Sequence, residues 1–107
     1  MRRHAVIVAR IKPGARERVA EVFAESDAGP LPHLAGVRHR SLFVLGDLYV
    51  HLVETEDDVE GAVDGVRDHP LFREISAKLE PYIEPYDPST WRSPKDAMAE
   101  EFYRWEA

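Results

Sequence analysis

Hydrophobic positions recur along this chain with two different periods, and the switches between them mark its elements. His4 to Lys12 carries β-branched bulk at Val6, Ile7, Val8 and Ile11, a strand composition. Its apolar residues fall on both faces, as in a central strand. Pro13-Gly14 stops it. Over 15–28 the period becomes helical: Ala15, Val19, Val22, Phe23 and Ser26 share one face, and Arg16, Glu17, Arg18, Glu21 and Glu25 take the other. Gly29-Pro30-Leu31-Pro32 reads as a loop, because a proline disfavours helix at the residue before it.

From Gly36 to Glu54 the sequence GVRHRSLFVLGDLYVHLVE predicts two strands folded back about Gly46-Asp47. Alternation puts Arg38, Arg40, Leu42 and Val44 on one side of the first strand, and Val37, His39, Ser41, Phe43 and Leu45 on the other. In the second strand Leu48, Val50, Leu52 and Glu54 separate from Tyr49, His51 and Val53. Which side of one strand meets which side of the other is left open by alternation alone.

An acidic run, Glu54-Thr55-Glu56-Asp57-Asp58, suits the positive end of a helix, and Val59, Ala62, Val63 and Val66 supply that helix's apolar stripe. Gly61 and Gly65 weaken it by about 1 kcal/mol each relative to alanine; close packing against a sheet is the expected reason. Asp68-His69-Pro70 breaks and restarts the helix, with Pro70 in the first turn and His69 in a structural role. Leu71, Phe72, Ile75 and Leu79 form a second stripe. Pro81, Pro85 and Pro88 bracket 82–86, so a strand there belongs at an edge or is interrupted. Residues 91–107 hold Trp91, Met98, Phe102, Tyr103 and Trp105, and are expected to dock on the body or on a second subunit.

The order β-α-β-β-α-β is that of an α+β, ferredoxin-like domain: an antiparallel sheet with helices on one face. A chain of 107 residues is expected to form one domain, 1–107. The bare sheet face needs cover, which a second sheet packed on it supplies, so a homodimer is expected.

Composition narrows the function classes. A net charge of −6 argues against nucleic acid, which calls for a clustered basic footprint. With no cysteine, disulfides, thiolate catalysis and Cys-ligated zinc are excluded. The apolar run after the basic start is broken by Arg10 and Lys12, too short for a signal peptide or a membrane span, and a cytoplasmic protein is expected. The five histidines show no His-x₃-His spacing with a companion carboxylate, so no metal site is expected.

The hairpin, the acidic run, HPLF at 69–72, FAESD at 23–27, PYIEPY at 81–86 and AEEFYRW at 99–105 together resemble the tetracenomycin-type polyketide cyclases of aromatic polyketide pathways. The resemblance implies a dimeric α/β-barrel arrangement of the ferredoxin-like fold. It also implies closure of a late ring of an aromatic polyketide intermediate by intramolecular aldol condensation and dehydration, with no cofactor. Residue by residue it implies catalytic roles for Arg40, His51, Asp27 and Lys12. Ser26 stands where the family's pattern carries a histidine, so proton transfer must use another group or a different ring is closed; Ser26 is kept as a substrate contact.

The residues themselves fit that chemistry. Aldol closure needs a base for an α-proton, a partner for the enolate oxygen and an acid for the departing hydroxide. His51, with an ordinary pKa of about 6.5, is the natural proton carrier. Arg40, always charged, suits the enolate. Asp27 could orient His51 or act as base, and Lys12 could polarise a carbonyl. Phe23, Phe43, Tyr49, Phe72 and Trp91 are candidates to stack on flat rings. Two other readings stand beside it: a cofactor-free monooxygenase of the same fold, and a non-catalytic subunit that binds a hydrophobic intermediate.

Overall fold

The computed structural model describes residues 3–92 and 94–107; Met1 and Arg2, part of the basic start weighed above, and Ser93, in the terminal segment, lie outside the described residues. The elements run β1 (His4–Ile11), α1 (Arg16–Asp27), α2 (Leu31–Ala35), β2 (Val37–Leu45), β3 (Leu48–Thr55), α3 (Val59–Val66), α4 (Pro70–Leu79) and β4 (Ile83–Pro85), followed by a 3₁₀ turn at Pro94–Ala97. The four strands form one antiparallel sheet in the order β2-β3-β1-β4. The strand with apolar residues on both faces, β1, is central, and the proline-bracketed β4 lies outermost. This is the ferredoxin-like α+β arrangement.

The β2–β3 connection is two residues long. Gly46 takes a positive φ of 61° and Asp47 does not, as a type II′ turn requires. The Asp47 carboxylate accepts from Arg10 at 2.9 Å, and its carbonyl accepts from the Ile11 amide at 2.9 Å. The turn is thereby fastened to β1.

One sheet face meets the helices. Ala5, Ala9 and Ile11 of β1 and Tyr49 and Val53 of β3 are buried there against Val19 and Phe23 of α1 and Val59 of α3. Two apolar clusters result. The larger joins Ala9, Ile11, Ala15, Val19, Phe23 and Tyr49, and the smaller joins Ala5, Val53 and Val59. His51, opposite Ile7 in the ladder, stands between them. The reverse face, with Val6, Val8, Val50 and Leu52, has no helix over it, and Phe43 and Leu45 there are 56% and 76% exposed.

Three local expectations need correction. The loop at 29–32 runs directly into α2, with Leu31 and Pro32 as its first residues; a proline in the first turn gives up only an amide that has no helical partner there. Val37 pairs with Thr55 and His39 with Glu54, so Arg38 is an extra residue, a β-bulge. The bulge moves Val37 to the Arg40 side of the strand, whereas simple alternation had put it with His39. Gly61 and Gly65 do not pack on the sheet. A Cβ at Gly65 would meet nothing within 4 Å, and one at Gly61 only the Asp58 carboxylate at 3.8 Å.

His69 does cap α4, its Nδ1 accepting from the Leu71 amide at 3.1 Å. The end of the chain divides. Met98 bridges to Ile7, and the Ala99 amide donates to the Val6 carbonyl at 2.7 Å. Beyond it, Arg104 bonds to His4 and Glu101, while Phe102 (97% exposed), Tyr103 and Trp105 lie bare. Within this chain the backbone near 98–99 is joined to β1, and these aromatic side chains are left exposed.

Gly65 is exposed, helical and free of a steric demand for glycine. Gly65→Ala should therefore stabilise the fold by about 0.5–1 kcal/mol, through helix propensity and the lost flexibility of the unfolded chain. Urea denaturation of the two proteins checks this; a destabilised variant would show that the bare face of α3 meets something else.

Candidate active site

Cross-strand pairing settles the question that alternation left open. Arg40 lies opposite Val53, Leu42 opposite His51 and Val44 opposite Tyr49, and directly opposed residues share a face. Arg40, His51 and Tyr49 therefore all point toward the helices.

There α1 grips Arg40 with two residues one turn apart. Asp27, at the end of the helix, accepts from Arg40 Nε and Nη2, both at 3.0 Å. Such a forked pair fixes the guanidinium plane. The Phe23 ring lies below it, 4.9 Å from the guanidinium carbon, an attractive cation–π placement. On its third side Arg40 Nη1 lies 2.9 Å from His51 Nε2. A guanidinium only donates, so Nε2 is the acceptor and the imidazole proton sits on Nδ1. Two N–H groups of Arg40, one on each terminal nitrogen, remain beyond these three bonds.

His51 is 7% exposed, boxed edge-on by Phe23 at 5.2 Å and Tyr49 at 6.1 Å between ring centroids. Burial, and then the neighbouring Arg40 charge, push its pKa down to about 3. The expected proton carrier with a pKa near 6.5 is thus, at rest, a neutral ring whose basic nitrogen is already engaged. Asp27 does not orient it; Asp27 holds Arg40, and Arg40 holds His51. The Tyr49 hydroxyl is pushed well above the usual phenol range by burial, with the Arg40 charge partly opposing.

These side chains wall a cleft of about 790 Å³ between the sheet and α1, α3 and α4, within the gap between the two apolar clusters. A volume of about 300–1,000 Å³ is usual for a small-molecule site. Arg40, His51, Tyr49, Phe23, Phe72 and Trp91 all border it. The other candidates do not. Phe43 is on the reverse face, opposite Val50, because its parity is opposite to that of Arg40. Lys12, one residue past β1, is half exposed and 3.8 Å from Glu84, outside the lining. Ser26 borders a separate hollow of about 160 Å³ between α1 and α4, with Glu25 and Lys78. Asp27 reaches the cleft only through Arg40. Arg67, Arg73 and Arg92 also border the cleft; they look like ordinary solvated arginines in the sequence, and nothing in its pattern sets them apart.

Comparison with known proteins bears on what such a cleft does. Residues 3–106 match the family described as polyketide synthesis cyclase. The chain is 44% identical to tetracenomycin F2 cyclase of Streptomyces glaucescens over 96% of this chain and 94% of that protein. It superposes on the solved structure of that enzyme, described as a type II polyketide cyclase, with a TM-score of 0.88 over 97% of each chain. Polyketide synthase CurG of Streptomyces cyaneus is 52% identical over 96% of both chains. A Chloroflexus aurantiacus protein named for antibiotic biosynthesis monooxygenase activity gives a TM-score of 0.58 at 12% identity, covering 78% of this chain and 84% of its own, a likeness of fold alone.

The depressed His51 pKa has a stability consequence of definite sign. Between about 3 and 6.5 the unfolded chain binds a proton at His51 that the folded chain does not, so stability is complete above the unfolded value and falls as pH drops through this window. His51→Gln should remove that component. Urea midpoints from pH 7 to pH 4 should decline more steeply for the wild type than for the variant; parallel curves would contradict a neutral buried imidazole.

Proposed function

The chain belongs to the polyketide synthesis cyclase family and is a type II polyketide cyclase, and we propose that it closes a late ring of an aromatic polyketide by intramolecular aldol condensation with loss of water. The observation that carries this reading is a fixed cation, Arg40, with two N–H groups to spare, beside a neutral imidazole in an apolar cleft.

The division of labour follows from that geometry. Removal of an α-proton leaves negative charge on an enolate oxygen. Arg40 is preorganised to receive it, since Asp27 and Phe23 hold the guanidinium in place before substrate arrives. The enolate carbon attacks a second carbonyl of the same molecule, which becomes a hydroxyl and departs as water. An oxyanion beside His51 would offset the Arg40 charge and lift the imidazole's pKa back toward its ordinary value. His51 then takes up or returns a proton only when substrate is bound. Phe23, Phe72 and Trp91 hold the flexible chain folded on itself, which brings the reacting carbons together. Residual roles for Lys12 and Ser26 would require substrate to extend beyond the main cleft.

The same reading includes a homodimer. The reverse sheet face presents the half-buried Val6, Val8, Val50 and Leu52 and the exposed Phe43 and Leu45, with no helix of the described residues over it, and a second copy packed sheet to sheet would bury them. Activity in the cytoplasm is part of the proposal; among the described residues no helix is long and apolar enough to cross a membrane.

Two measurements test these statements. Incubated without oxygen, a partly cyclised aromatic polyketide should lose the mass of one water, and Arg40→Ala should slow this by about 100-fold or more, with Arg40→Lys no rescue because an ammonium lacks the fork. A gain of oxygen, seen only in air, would replace the cyclase reading by a monooxygenase. Sedimentation should give twice the chain mass, and Leu45→Glu should shift it toward the monomer; an unchanged mass for that variant would place the interface elsewhere.

A further inference from the structure

Tyr49 was singled out for its flat ring, yet its hydroxyl is the less ordinary feature. The residue is 5% exposed, and a buried phenol normally finds a hydrogen-bond partner. Among the described residues nothing bonds to this oxygen, although their fully buried side-chain nitrogen and oxygen atoms are all satisfied. An oxygen without a partner among the described residues is therefore not fully buried, and the open space that Tyr49 borders is the cleft. Its ring is flanked by its two cross-strand partners, Val44 of β2 and Ala9 of β1, and by the edge-on contact with His51.

We propose that Tyr49 is a catalytic residue that donates a hydrogen bond from its hydroxyl to a carbonyl oxygen of the bound substrate, sharing with Arg40 the charge that develops there. This rests on the cyclase reading above and adds a second, neutral donor to it. Burial keeps the phenol protonated, so it remains a donor while the oxygen turns into an enolate. A phenol in a low-dielectric wall strengthens its bond as that charge grows. No proton need be transferred, and the hydroxyl stays ready for the next turnover. An unpartnered donor next to His51, which itself contacts the fixed cation, gives a ketone oxygen a second bond in this wall of the cleft.

Tyr49→Phe removes only the oxygen. Since that oxygen bonds to nothing among the described residues, the melting temperature should not fall, while kcat for anaerobic water loss should drop by about 100-fold with a smaller change in KM. Calorimetric titration with benzoylacetone, a 1,3-diketone bearing one aromatic ring, should show weaker binding to the variant by several-fold. Wild-type kcat and wild-type affinity in Tyr49→Phe would overturn the inference, as would a large fall in melting temperature, which would reveal a structural partner for the hydroxyl. Should the wild type release no water from any substrate, the cyclase reading fails by itself. The benzoylacetone titration then still decides Tyr49, and equal affinities overturn its role.

Discussion

A half-buried guanidinium has to be surrounded, and much of this structure can be understood as the surroundings of Arg40. Its charge would be costly beside an apolar cleft without partners. Asp27 supplies the countercharge, Phe23 a π-face and His51 a lone pair. Each depends on a different part of the fold. α1 must end where Asp27 reaches the sheet, Phe23 must sit one turn earlier, and the β2–β3 register must place positions 40 and 51 on one face. The bulge at Val37–Arg38 lets β2 enter the sheet at that register while keeping Val37 on the cleft side.

The same arrangement determines what the imidazole can do. A histidine in a polar site would titrate near neutrality; here burial and a neighbouring cation keep it neutral. On the proposed reading the site receives negative charge beside an uncharged ring more than it holds a ready base. A cleft between two separate apolar clusters, bordered on β1 by Ile7 and the small side chain of Ala9, gives such a site room within a chain of modest size.

Much of the fold was legible in the sequence because it rests on local rules. The period change after Pro13-Gly14, the hairpin at Gly46-Asp47, the helix restart at Pro70 and the outer position of 83–85 all follow from side-chain spacing and from proline and glycine chemistry. Arg40, His51 and Asp27 were named through resemblance and most of the aromatic wall from the chemistry of flat rings, and cross-strand pairing explains why the first two meet. What escaped was non-local. Phe43 was misplaced because parity names two faces without saying which is covered. His51 was assigned an ordinary pKa because burial belongs to the assembled sheet and helices. The glycines of α3 were assigned to close packing that the structure does not contain. Tyr49 was read as a ring, since nothing in a sequence tells a satisfied hydroxyl from an idle one.

The join between Ala99 and Val6 has a consequence for the life of the chain outside its active site. β4 covers only the 9–11 end of β1. Without the Met98 bridge and the Ala99 amide, the other half of that strand, rich in valine and isoleucine, would offer unpaired backbone groups to any passing chain, the template from which intermolecular β-aggregates grow. Met98 and Ala99 thus act as a selvedge. On the ribosome residues 98 and 99 emerge after all four strands of the sheet, so in the interval before they appear the edge of β1 is most exposed to self-association.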